Sequence, residues 1–222
     1  MKLAHPIFQK PFVWNKNGIY TFVIENPLLY RKMMSDLIAQ TEGNTGEFIL
    51  SIEDDPVPIE KHVEIVGDIL SVDPCENKRI ITGIQKELTS IAIHEMPGEI
   101  MTIYGQIHSL ITDIMLKSQG DFVFDELNDV SLLLKLYNVR PDTTDLSLAE
   151  RLLLYMELCE KYLKKDLFVL FHLHACFSSE ELEDFVKDVT YRKLNVLLIE
   201  SYDIKAVSSE KKVILDCDLC EL

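Results

Sequence analysis

The sequence predicts an α/β protein with a helical region set inside it, and three stretches carry that expectation. Residues 165–200 read as strand, helix, strand; residues 18–40 read as strand, then helix; residues 73–137 show helical periodicity and no convincing strand. The first stretch opens K-D-L-F-V-L-F-H-L-H-A-C-F, a nearly unbroken apolar run. It is too short for a membrane span, which needs about 20 apolar residues. Apolarity on both faces suits a central strand covered by helices. Ser178 with Glu181 has the spacing of a capping box. Leu182, Phe185, Val186 and Val189 follow at helical spacing, and L-N-V-L-L-I-E over 194–200 reads as a second buried strand. Such βαβ crossovers are right-handed in about 98% of cases, so a parallel pair lies in the C-terminal half.

Taken in order, G-I-Y-T-F-V-I-E over 18–25 is a strand. Asn26 caps a helix with Pro27 at its first position, running to about 40 with Leu28, Leu29, Met33, Leu37 and Ile38 inward. Residues 47–52 and 57–59 flank D-D-P as a small antiparallel hairpin. Residues 63–70 form a further apolar segment. Residues 77–94 then place Ile80, Ile81, Ile84, Leu88 and Ile91 on one helix face. Pro97 starts a second helix with Ile100, Ile103, Tyr104, Ile107, Leu110, Ile111 and Ile114 inward, which Gly120 breaks. A third, shorter helix covers 126–137. The first two, meeting at Met96-Pro97-Gly98, read as an antiparallel hairpin. Ser147 with Glu150 opens a helix carrying Leu148, Leu152, Tyr155, Cys159 and Tyr162 inward, and Arg151, Lys161, Lys164 and Lys165 outward. A last strand covers 213–217. The expected organisation is an α/β head from 1–72 and 139–222, with a helical leg inserted over 73–138.

The 222 residues are 47% hydrophobic and 27% charged, a globular composition that supports a core without staples. Five cysteines are an odd number, and residues 1–14 lack the apolar run of a signal peptide, so reduced thiols in a cytoplasm are expected. The net charge of −15 repels polyanions unless basic groups are gathered in one enclosed place.

Four chemistries have candidates. Nucleotide hydrolysis needs G-x-x-x-x-G-K-[ST], and none of the eight glycines opens such a run. His172, His174 and Cys176 alternate, so on a strand they share one face near its C-terminal end. With the C-x-x-C of Cys217 and Cys220 they offer a zinc site or a thiol nucleophile; strand-end packing is the more ordinary reading. Asp121, Asp125, Glu126 and Asp129, with Asp142 and Asp145 on the other side, offer oxygen ligands for calcium, against solvated helix starts. Lys78, Arg79, Lys86, Lys117, Lys135 and Arg140 lie in or beside the insert. In a monomer they read as solvated helix faces; in a closed ring they could line a hole, with the acidic exterior screened within about 10 Å.

The order and spacing of several segments resemble one family. They are Met1-Lys2-Leu3, V-G-D-I-L-S-V-D (66–73), F-D-E-L (124–127) and E-K-Y-L-K-K (160–165). L-F-V-L-F (167–171), S-S-E-E-L (178–182), L-N-V-L-L-I-E (194–200) and V-I-L-D (213–216) complete the set. The chain is similar to the ring-forming protein of spacer acquisition in type II-A CRISPR systems, the Csn-two family. The resemblance implies a degenerate P-loop-like α/β head with a helical leg, a homotetrameric ring and no catalysis of its own. It further implies binding of double-stranded DNA ends, a calcium requirement with Asp121, Asp125 and Glu126 as ligands, and partnership with other adaptation proteins and the RNA-guided nuclease. Gln119 and Gly120 stand where relatives carry further carboxylates. The DNA contacts follow from location only: Lys78, Arg79, Lys86, Lys117, Lys135 and Arg140. The competing readings are a metal- or thiol-dependent enzyme on His172, His174 and Cys176, and an acidic protein-binding adaptor.

Overall fold

The structure, a computed structural model, describes residues 1–14, 18–118, 120–127, 129–203 and 211–221. Its elements in chain order are β1 (Lys2–Ala4), β2 (Phe12–Val13), β3 (Gly18–Ile24), α1 (Pro27–Thr41), β4 (Ile49–Ile52), β5 (Asp55–Val57), α2 (Ile59–His62) and β6 (Val63–Val66). Three helices follow, α3 (Lys78–Glu95), α4 (Pro97–Leu116) and α5 (Val130–Leu136). The rest are α6 (Leu148–Leu163), β7 (Leu167–Phe171), α7 (Leu173–Cys176), α8 (Ser179–Tyr191), β8 (Asn195–Glu200) and β9 (Lys211–Leu215). Two compact units result. The head is Met1–Pro74 with Thr143–Leu222, and the leg is Cys75–Asp142.

The head is built on a five-stranded parallel sheet, β6-β7-β8-β3-β9. The βαβ unit is β7-α8-β8, in register with Phe168 opposite Val196. Its helix starts on a complete capping box: Glu181 N donates to Ser178 Oγ and Ser178 N to Glu181 Oε2. A second sheet, β2-β1-β4-β5, is antiparallel throughout. Its β4-β5 hairpin was readable, but the second strand is Asp55–Val57 and not 57–59, because the turn falls at Glu53 and Asp54, both with positive φ; β1 and β2, three and two residues long, are too short to show alternation, though Leu3 and Phe12 are buried. Phe22, Phe168 and Phe185 fill the core, each worth about 1.5–3 kcal/mol in removed apolar surface.

Three expectations for the head are corrected. On α1, Leu28 and Ile38 face solvent, and the buried set is Met33, Met34, Leu37 and Gln40. Gln40 is tolerated because Nε2 donates to Phe48 O at 2.9 Å and Phe48 N donates to Gln40 Oε1 at 3.0 Å, closing the turn after the helix. Lys165 points inward. Lys164, in left-handed conformation, turns the chain, and Lys165 Nζ donates to Glu60 O and Val63 O at 2.9 and 2.7 Å, with Glu64 Oε2 at 3.5 Å. A buried ammonium survives only when so satisfied. The last strand begins two residues earlier than expected, at Lys211, and ends at Leu215.

The leg helices start on side-chain caps where these exist: Asn77 Oδ1 accepts from Arg79 N and Ile80 N, and Asp129 accepts from Ser131 N. Two boundaries differ from expectation. The second helix stops at Leu116, before Gly120, and the third starts at Val130, behind the Asp129 cap. The larger correction concerns burial. Ile91, Ile103, Leu110 and Ile114 are 40%, 47%, 60% and 59% exposed, and only Ile80 and Tyr104 are buried among the described apolar residues of this unit. Periodicity reports a stripe; it does not report whether anything lies over it.

Candidate nucleic-acid interface

The carboxyl ends of parallel strands are where α/β sheets hold ligands, at a point where sheet neighbours are remote in sequence. Here that point is β3 beside β8, with α1 starting just beyond β3. A helix start can cradle phosphate through its free N–H groups. This one has none to offer. Pro27 has no N–H, Leu28 N and Leu29 N donate to Asn26 Oδ1 at 3.1 Å each, and Tyr30 N donates to Asn26 O at 2.9 Å. The missing glycine loop of the sequence therefore has a structural counterpart, a helix start already capped by its own chain.

The same edge holds the histidines, in an arrangement the alternating pattern did not foresee. β7 ends at Phe171, His172 takes a left-handed conformation (φ 53°), and 173–176 form a helical turn. His172, His174 and Cys176 therefore do not share a strand face. The strand ends because His172 N makes a last bond to Ile199 O at 3.0 Å before the chain bends away. The partners are Glu200 and Tyr30, which sequence reasoning missed. Glu200, 1% exposed, accepts from His174 N at 3.1 Å and from His174 Nδ1 at 2.7 Å. Tyr30 Oη lies at hydrogen-bond distance, 3.0 Å, from His172 Nε2, and His172 Nδ1 is 3.6 Å from Glu200 Oε2. Burial first, then the Glu200 charge, pushes the Tyr30 hydroxyl pKa up. This chain of side chains ties the ends of α1, β7 and β8 together. No hydrogen bond to the Cys176 thiol is found among the described residues. Cys217 and Cys220 lie exposed in a turn that Asp216 orders by accepting from Asp218 N and Cys220 N. The available signal was a glutamate closing an apolar strand, which has to find a partner.

In the leg, all six basic candidates are exposed. They are every Lys and Arg of the unit, and their share of the chain's 22 is no larger than the unit's share of length. Basic clustering must therefore come from placement. Lys78 and Arg79 occupy the first turn of α3, Lys117 caps the end of α4, and Arg140 follows α5. Lys86 on α3 and Lys135 on α5 line one hollow of about 500 Å³, with hydroxyls of Thr82, Thr89, Ser90 and Ser131 around it. These are the two that the structure brings together.

Asp121, Asp125 and Glu126 lie exposed on a segment without helix or strand, which is anchored where Leu127 N donates to His108 Nε2 at 3.1 Å. Asp129 is committed to its cap, accepting from both Ser131 N and Ser131 Oγ at 2.8 Å, and these bonds hold its carboxyl below the usual range. Calcium takes six to eight oxygens. Among the described residues no group of three or more His, Cys, Asp or Glu is close enough to hold a metal.

The profile of the family described as CRISPR-associated protein (Cas_Csn2) matches residues 40–219. The chain belongs to the Cas_Csn2 family. Among solved structures, it is similar to Stu0660 of Streptococcus thermophilus, at 16% identity and a TM-score of 0.57, over 97% of this chain and 74% of that one. That likeness shows a shared α/β fold. A putative ATP-binding ABC transporter protein from Pyrococcus furiosus aligns at 12% identity over 96% and 97% of the two chains, with a TM-score of 0.40 that carries no argument. No curated protein matches. Family membership gives a CRISPR-associated role, and no helix among the described residues is long and apolar enough to cross a membrane.

Proposed function

We propose that this Cas_Csn2-family chain closes into a homotetrameric ring that binds the ends of double-stranded DNA, without sequence preference, during spacer acquisition. The ring acts as a non-catalytic holder beside the other adaptation proteins and the RNA-guided nuclease. The observation that carries the reading is the uncovered stripe on α4. Ile103, Leu110 and Ile114 recur at helical spacing on one face, and each is about half exposed or more. An apolar face of this kind marks an interaction surface. A second copy of the chain is the occupant that also resolves the charge conflict. A chain at −15 repels DNA as a whole, but inward-facing lysines of a closed ring act locally, while salt screens the acidic exterior within about 10 Å.

Calcium enters this reading as a ligand of the assembled form, with Asp121, Asp125 and Glu126 contributing oxygens that one chain does not gather alone. Two measurements test the proposal. Light scattering should give a tetramer mass that falls on chelation, because removing a ligand destabilises the state that binds it. Linear duplex should bind, and closed-circular duplex of the same sequence should not, with affinity falling steeply as salt rises. A stable monomer under all cation and DNA conditions, or equal affinity for line and circle, overturns it.

A further inference from the structure

We propose that the hollow between α3 and α5 is a subsite for a nucleotide-sized phosphate monoester, filled by the 5′-phosphorylated terminal nucleotide of a DNA strand. This rests on the DNA-end reading and gives the leg a specific task within it. The hollow's volume of about 500 Å³ lies inside the roughly 300–1,000 Å³ range of small-molecule sites. A lysine stands on each wall, Lys86 and Lys135, and neither is in an ion pair among the described residues. One carboxylate, Asp129, also lines it, and its oxygens already accept two bonds from Ser131. Asp129 stays ionised, with Lys135 among the charges acting on it, but the two ammonium groups still outnumber the one carboxylate, which favours an anion. A phosphate monoester, at about −1.5 to −2, satisfies the pair better than a backbone diester carrying a single charge.

The neutral groups fit the remainder of a nucleotide. Thr82 and Ser131 spend their hydroxyl protons on Lys78 O and Asp129. Thr89 does not: its Oγ1 is buried at the hollow and has no partner among the described residues. Buried polar groups are seldom left so, and an unmet hydroxyl in a hollow is one a ligand can meet. The Gln85 amide supplies a further donor and acceptor, and Ile93, 55% exposed, gives an apolar shoulder for sugar or base. A concave site of this size also discriminates by shape. The middle of a duplex has nothing to insert, whereas a strand end does.

The test uses the full chain and two kinds of probe. The first is a pair of blunt duplexes identical except for 5′-phosphate or 5′-hydroxyl ends; the second is a free deoxynucleoside 5′-monophosphate. The phosphorylated duplex should bind at least about fivefold tighter at fixed salt, as charge-assisted hydrogen bonds require. The preference should vanish in the K86A/K135A double variant, fall in T89V, and persist in K187A, a surface change in the head. Circular dichroism checks that each variant folds. Equal affinity for the two duplexes, or a preference that survives K86A/K135A, overturns the subsite while leaving duplex binding intact. Binding of the free monophosphate, lost in K86A/K135A, without any duplex binding keeps the subsite and removes the DNA-end reading. Binding of neither probe removes both.

Discussion

Head and leg are made of the same kinds of apolar residue and use them differently. In the head, strands β7 and β8 bury nearly every side chain, and Phe168, Val196 and Leu198 are at most 1% exposed. In the leg, residues of equal hydrophobicity stand in solvent: Leu110 at 60%, Ile114 at 59%, Leu116 at 78%. A parallel sheet has two faces that helices can cover, so one chain completes the core. Three helices in a single unit leave outer stripes that only something further can cover. The head therefore encloses its own core, while the leg presents a surface.

The largest test of that contrast is paired truncation. Phe168→Ala in the head should cost about 3–5 kcal/mol by denaturant unfolding, from lost burial plus a cavity. Leu110→Ala should cost no more than about 0.5 kcal/mol in dilute protein, as exposed sites do. Raising the protein concentration should then separate wild type from Leu110→Ala, because a second copy stabilises only the state it binds. Equal costs at low concentration would show that the stripe is covered within one chain and would break the comparison.

A smaller effect sharpens it. Asn26 and Asn77 cap α1 in the head and α3 in the leg by the same device, each Oδ1 accepting two backbone N–H groups. Replacing either with Ala should cost about 1 kcal/mol. Asn26→Ala should lower the unfolding midpoint of the whole head, whose sheet α1 packs against. Asn77→Ala should show mainly as loss of helical signal before that transition. A single shared transition for both variants would mean that the units unfold together.

Much of the head was legible in the sequence because its signals are local. Capping boxes at Ser147 and Ser178, the Asn26-Pro27 start and the apolar strands around α8 all declare themselves within a few residues. What was illegible depended on distant partners. Lys165 reads as one more basic residue at a helix end, and the distant carbonyls of Glu60 and Val63, with the Glu64 carboxylate, explain its burial. His172 continues an apolar run in sequence, yet the strand stops there because its N–H is the last to find β8. In the leg, Lys86 and Lys135 could be named as cations, but the helix packing that sets them around one hollow is invisible to spacing. The acidic segment shows the opposite limit: Asp121, Asp125 and Glu126 are near in sequence, yet among the described residues they belong to no group of three close enough to hold a metal.

The smallest expected effect is a pH dependence that belongs to the head. His5 is 9% exposed, its ring against Phe48 at 4.5 Å and Phe8 at 5.5 Å. Its Nδ1 accepts from Ile7 N at 3.2 Å, which puts the proton of the neutral ring on Nε2, 3.3 Å from Glu47 Oε2. Burial lowers its pKa, outweighing the carboxylates of Glu47 and Asp36 that raise it, and Lys32 adds to the lowering. The folded state thus favours neutral His5, while the unfolded chain takes up its proton near pH 6.5. Below that value the unfolded state binds more protons, so the His5 contribution is present above about 6.5 and is lost as pH falls toward the lowered folded value. The urea midpoint should therefore drop between pH 7.5 and 5.5, and His5→Gln should flatten that drop. An unchanged slope in His5→Gln would show that other groups set the acid sensitivity of the head.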